Sequence, residues 1–240
     1  MCFESSLIKK KRLIEEFFKA NFTPSYYYEP YFHVSGFQYP ELQIIKMDDP
    51  FTIHPATWGL IPSWGEKDIA SFRKKYNTLN AKSETLLQSN MYQNSAREHR
   101  CLIIADGFFE PHQINNVSYP YYCFIPSEKF EDGKDVFAYT GIYSELEDGT
   151  FSCSILTTEA NEFFAEIHNK KKRMPLIIDD SFMKDWLQID LTDSQIDEVL
   201  NSCYTQKKFD AYQVSRNLYK RGVSHNHPGI LTKVERNTLF

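Results

Sequence analysis

Seven short apolar stretches, rich in β-branched and aromatic residues and separated by turn-forming residues, recur from residue 42 onward. They are LQIIKM (42–47), FTIHPATWGLI (51–61), RCLIIADGFF (100–109), YYCFI (121–125), VFAYTGIY (136–143), FSCSILTT (151–158) and MPLIID (174–179). Segments of this length at this spacing predict strands that pair mainly antiparallel. In the third, Asp106–Gly107 reads as a turn signal. Helices are predicted around them, at 83–97, 159–168, 181–187 and 193–201, with Ser181 and Thr192–Asp193 as N-caps of the last two. Residues 5–20, SSLIKKKRLIEEFFKA, read as an amphipathic helix with Leu7, Leu13, Ile14, Phe17 and Phe18 on one stripe and Lys9 to Arg12 toward water. Residues 21–41 read as loop with short strands. The fold class expected is α+β: a single β-rich domain of mainly antiparallel sheets forming a barrel-like core, with peripheral helices.

A chain of 240 residues, 42% of them apolar, supports one large domain with its own core. No linker or repeat divides it; the polar stretch 216–240 reads as a tail packed loosely on a domain spanning 1–215. No apolar run of 18 residues and no signal-peptide pattern occurs, so a cytosolic location is expected and no membrane partner. There the five cysteines, Cys2, Cys101, Cys123, Cys153 and Cys203, stay reduced. Their scatter supports neither a disulfide frame nor a structural zinc site, and no metal or cofactor is expected. The net charge of -5 argues against a generally basic nucleic-acid binder while leaving room for a local basic groove.

Cysteine in second position carries a specific chemical option. Removal of Met1 would leave a 1,2-aminothiol, whose amine condenses with an aldehyde and whose thiol closes the imine to a thiazolidine. Four further stretches hold side chains suited to chemistry: WGLIPSWG (58–65), NAKSET (80–85), RCLIIADGFFEP (100–111) and IHNKKKRMP (167–175). Taken one at a time, each has a structural explanation. Trp58 and Trp64 suit a core, Asn80 a turn, Glu110 a wet surface, His168 a helix C-terminus, and Lys170 to Arg173 an exposed loop.

Together and in this order, the Cys2 start, W-G-L-I-P-x-W, N-A-K-x-E-T, R-C-L-I-x-A-D-G-F-F-E and H…R-M-P resemble the SOS-response-associated peptidase (SRAP) family of abasic-site processing proteins, over roughly residues 1–215. The resemblance implies a sensor that binds single-stranded DNA and crosslinks Cys2 to the abasic-site aldehyde, shielding the lesion. Lyase activity and autocatalytic or aminopeptidase-assisted loss of Met1 accompany it. It implies Cys2 as nucleophile, Asn80 and Glu110 lining the site, and His168 as acid/base group. Lys82 and Arg173 match family positions; the basic clusters add Arg73 and Lys172 as phosphate contacts, and the proline turn of WGLIPSW offers Trp58, Pro62 and Trp64 to wedge or stack on bases. A monomer, associated with the nucleoid on damage, is expected.

Three departures stand out. Phe3 and Glu4 follow Cys2 where many relatives have Gly-Arg. His168 and Arg173 are five positions apart, and Pro111 follows Glu110. Two other readings stay open: an N-terminal-nucleophile cysteine peptidase or amidohydrolase using Cys2 and His168, and a non-catalytic single-strand binder.

Overall fold

The computed structural model describes residues 2–220 and 222–234. In chain order its first half comprises β1 (Glu4–Leu7), α1 (Lys11–Phe18), β2 (Asn21–Phe22), β3 (Tyr31–Ser35), β4 (Glu41–Lys46), β5 (Asp49–Trp58), α2 (Ile69–Lys75), β6 (Asn80–Lys82) and α3 (Gln93–Glu98). The second half comprises β7 (Arg100–Ala105), β8 (Gly107–Ile114), β9 (Val117–Phe124), β10 (Phe137–Glu145), β11 (Phe151–Glu159), α4 (Glu162–Ile167), β12 (Arg173–Pro175), β13 (Ile177–Ile178), α5 (Met183–Trp186), α6 (Asp193–Ser202) and β14 (Asp210–Gln213).

Two sheets result. One runs β14-β9-β8-β1-β3, antiparallel throughout. The other runs β12-β11-β10-β7-β4-β5-β2, and a parallel pairing of β11 with β5 closes its middle five strands into a ring. The α+β class and the predominance of antiparallel pairing are therefore as expected. All six residues of β7 are buried, because the strand is covered on both faces. The chain then passes from β7 into β8 and thereby from one sheet to the other. Asp106–Gly107 is thus a crossing point and not a hairpin turn. The Asp106 carboxylate accepts from the backbone N–H of Ile8 (2.6 Å) and Lys9 (3.1 Å) and from Ser6 Oγ (3.0 Å), tying the crossing to β1. Gly107 is required there, since a Cβ would lie 2.2 Å from the Tyr122 hydroxyl.

The amphipathic pattern over 5–20 resolves into β1 followed by α1. Leu7 belongs to the strand, and pairing with β3 and β8 on either side overrides helical propensity there. Lys9, expected in water, is 3% exposed, with its ammonium paired to Asp132 and bonded to the Lys134 carbonyl. The helix expected over 83–97 shrinks to a 3₁₀ turn at Ser83–Thr85 and to α3. Ser89, whose hydroxyl accepts from Met91 N–H, interrupts it by competing for backbone partners. Thr192 forms a capping box with Gln195 at the start of α6, whereas Asp179, not Ser181, caps the turn before α5. A second, smaller apolar cluster of Phe109, Tyr122, Val214, Leu218 and Ile230 draws residues from beyond 216 onto the antiparallel sheet.

Candidate active site around Cys2

β1 is the structural reason that Cys2 has a defined position. The strand lies between β3 and β8, with Glu4 opposite Phe109. The chain just before it is therefore delivered beside Glu110 on β8. Cys2 is fully buried; its Sγ lies 3.6 Å from the Glu4 carbonyl, and its own carbonyl accepts from Asn80 Nδ2 at 2.9 Å. Asn80 is positioned by β6, which pairs in parallel with β11, and by the Tyr92 hydroxyl, which donates to its carbonyl at 3.3 Å. Its Oδ1 is buried and accepts no hydrogen bond from the described residues. Burial pushes the Cys2 thiol well above its ordinary range, and the charge of Glu110 adds to the effect. The Tyr139 hydroxyl pulls in the opposite direction.

Glu110 is 0% exposed, so it is not the wet surface carboxylate that its position at a strand end would suggest on its own. β8 turns alternate residues to opposite faces, and Glu110 shares the inward face with Phe108. His168 follows α4, whose first turn is capped by Asn161 accepting from Phe164 N–H. Its Nδ1 lies 3.0 Å from the Arg173 carbonyl and 3.2 Å from Glu110 Oε2. A carbonyl only accepts, so Nδ1 carries the hydrogen. The 3.2 Å spacing would suit an ion pair, but burial disfavours charge on both partners. It raises the Glu110 carboxyl to about 7 and lowers the His168 imidazole to about 4. Near neutral pH the histidine is therefore uncharged, and Glu110 is the partner that titrates.

α4 is clamped to β8 beside this pair. Asn169 Oδ1 accepts from Gln113 N–H at 3.0 Å while Asn169 Nδ2 donates to the Gln113 carbonyl at 2.9 Å. His112 Nδ1 adds a contact to the Glu166 carbonyl at 2.9 Å. Sequence inspection found none of these residues, nor Tyr139. Only for Tyr139 does a signal exist, since alternation along VFAYTGIY places it inward.

The expected DNA contacts divide into two groups. Trp58 is 0% exposed, with its indole N–H donating to the Leu79 carbonyl at 2.8 Å. It packs in the core and offers no face for stacking. Arg173 is engaged bidentately by Glu84 (2.7 and 3.0 Å) and also donates to the Thr157 carbonyl (2.7 Å), so it braces NAKSET against the R-M-P element. Trp64 is 54% exposed and edge-on to Phe72 and Tyr76. Pro62 is half-buried; Lys82 and Lys172 are exposed. The Arg73 guanidinium sits 3.9 Å above the Tyr39 ring. No helix among the described residues is long and apolar enough to cross a membrane.

Fold and site together define a class: a two-sheet α+β protein whose second residue, a cysteine, is buried among an amide, a carboxyl and an imidazole from three distant segments. The family model described as SOS response associated peptidase (SRAP) matches residues 1–221, and the chain belongs to that family. Abasic site processing protein YoqW of Bacillus subtilis is 30% identical over 207 residues, covering 85% of this chain and 87% of that protein. Abasic site processing protein HMCES of Xenopus tropicalis is 30% identical over 148 residues, covering 54% of this chain and 43% of that protein. A crystal structure of a Bacteroides thetaiotaomicron protein superposes with a TM-score of 0.81 at 27% identity, covering 98% of this chain and 100% of that one.

Proposed function

We propose that this protein processes abasic sites by crosslinking to them in single-stranded DNA through Cys2, once Met1 is removed. The observation that carries the reading is a buried chain of groups at Cys2: Asn80 bonded to its carbonyl, Glu110 acting on its thiol by charge, and His168 against Glu110. Names of relatives such as YoqW supply the substrate class.

In this reading the freed Cys2 amine attacks C1 of the open-chain sugar, and the carbinolamine loses water to give an imine. The Cys2 sulfur then adds to the same carbon, and the thiol proton passes to the ring nitrogen. One C–N and one C–S bond form, and one water is released. A carboxyl that titrates at about 7 suits both halves: protonated, it helps hydroxide depart; ionised, it takes up the thiol proton and delivers it to nitrogen. Neutral His168 holds Glu110 in place. Asn80 holds the Cys2 carbonyl and has an oxygen available to orient the amine. Closing the ring removes the imine that would otherwise lead to β-elimination and strand cleavage. Exposed Trp64, Lys82 and Lys172, with half-buried Arg73, are the side chains available to the strand.

The test uses purified protein of verified intact mass, mixed with a single-stranded oligonucleotide bearing one abasic site and then denatured. A heat-stable shifted band that disappears in Cys2→Ala is expected. Absence of the band, or its persistence in that variant, overturns the reading.

A further inference from the structure

A pocket of about 600 Å³ opens where β1 begins. Its floor is Glu4, two residues from the nucleophile. Glu4 Oε2 accepts from His33 Nε2 at 2.7 Å, and Oε1 accepts from Ser35 Oγ at 3.1 Å. His33 is 6% exposed and edge-on to Phe109, the neighbour of Glu110, so the carboxylate is held from a rigid part of the sheet. Tyr219 forms part of the wall, and Glu4 ties the pocket to the reaction site through β1, two residues after Cys2. The walls mix polar side chains, Lys220 and His225 among them, with apolar ones open to solvent. Phe37 (57% exposed), Tyr219 (40%) and Val223 (58%) all line it, three of the eight large apolar side chains found exposed among the described residues. Phe37 is propped by the Phe3 ring, 4.9 Å away.

A fixed carboxylate sharing a pocket with an exposed aromatic ring suits a flat ligand with N–H donors on its edge. Each carboxylate oxygen uses one lone pair on His33 or Ser35 and keeps another. An unpaired base exposes its Watson–Crick edge and stacks on aromatic side chains. Guanine alone among the four bases has two adjacent donors there, N1–H and N2–H, which match the two carboxylate oxygens. We propose that this pocket takes the base next to the lesion, that Phe37 stacks on it, and that Glu4 selects guanine. The position next to the lesion rests on the crosslinking reading; the base preference does not.

Two measurements separate these claims. The first is binding of undamaged ten-nucleotide thymidine strands carrying one central dG, dC, dA or dT, followed by fluorescence anisotropy. Roughly tenfold tighter binding of the dG strand than of the all-thymidine strand is expected, as for a bidentate base contact. Glu4→Gln should level it, and Cys2→Ala should leave it intact. Phe37→Ala, at an exposed position that endangers no core, should weaken the dG strand about tenfold. Equal binding of all four strands by the native protein overturns the pocket, whatever the crosslinking result. The second measurement is adduct formation with dG or dT on either side of an abasic site; faster reaction with dG on one side only is expected. Adducts forming at equal rates with every neighbour overturn the placement next to the lesion and leave the crosslinking reading standing. A dG preference in binding with no adduct on any strand overturns crosslinking and leaves the base pocket standing.

Discussion

Glu110 keeps its proton in a range where an exposed carboxyl would have lost it. Its folded value of about 7 lies above the ~4.3 of an unfolded chain. The folded protein therefore binds more protons than the unfolded one between those values, and this group's contribution to stability falls as pH rises from about 4 to 7. Asp106, raised to about 6 by burial, acts in the same direction. His168, lowered to about 4, acts in the opposite direction: the unfolded imidazole binds the extra proton, so stability rises with pH from about 4 to 6.5. Glu110→Gln removes a buried negative charge and should stabilise the protein above pH 7, by an amount on the order of 3 kcal/mol at most. Thermal denaturation at pH 8 checks it, and a lower Tm would contradict it. The same variant should slow adduct formation at least tenfold and remove the inflection near pH 7 from its rate profile. The identity of Glu110 as a site residue was legible through its motif. Partial desolvation was legible from the two phenylalanines before it; complete burial was not, because they say nothing of what covers the strand.

At the scale of elements, the site depends on how α4 meets β8. Asn169 imitates a neighbouring strand, pairing both polar groups of its amide with the backbone of Gln113. That fixes the residue adjacent to His168. Asn169→Ala should therefore lower the adduct-forming rate several-fold while leaving DNA affinity unchanged, with stability reduced by about 1 kcal/mol for the lost pair of bonds. Single-turnover kinetics beside an anisotropy titration would separate the two effects; a matching loss of affinity would contradict the assignment. The start of the chain shows what local pattern misses. ESSLIKKKR has helical spacing, yet Glu4–Leu7 becomes a strand because β3 and β8 offer it hydrogen bonds on both edges. Without that strand Cys2 would have no fixed address. The apolar β stretches, by contrast, were legible almost throughout, since alternation and β-branching survive any change of partner.

Taken whole, the molecule joins two sheets through one continuous passage from β7 into β8, with a ring on one side and an antiparallel face on the other. The segment beyond residue 216 reads as polar, yet it lends Leu218 and Ile230 to the smaller apolar cluster. Ile230 is 1% exposed, so Ile230→Ala should cost about 2–3 kcal/mol and lower Tm by roughly 5–10 °C in a single transition. A separate early transition, with the main one unmoved, would show the segment folding independently. The sequence by itself determined the long apolar strands, the α+β class and the ordered motifs that name the family, because these depend on residue type and local spacing. Tertiary structure decided which side chains lose water. It put Trp58 in the core, paired Arg173 with Glu84 and set the protonation order of Glu110 and His168. It also set Glu4 at the floor of a pocket. Burial and charge proximity arise between segments as much as 166 positions apart, as Cys2 and His168 are, and no local pattern encodes them.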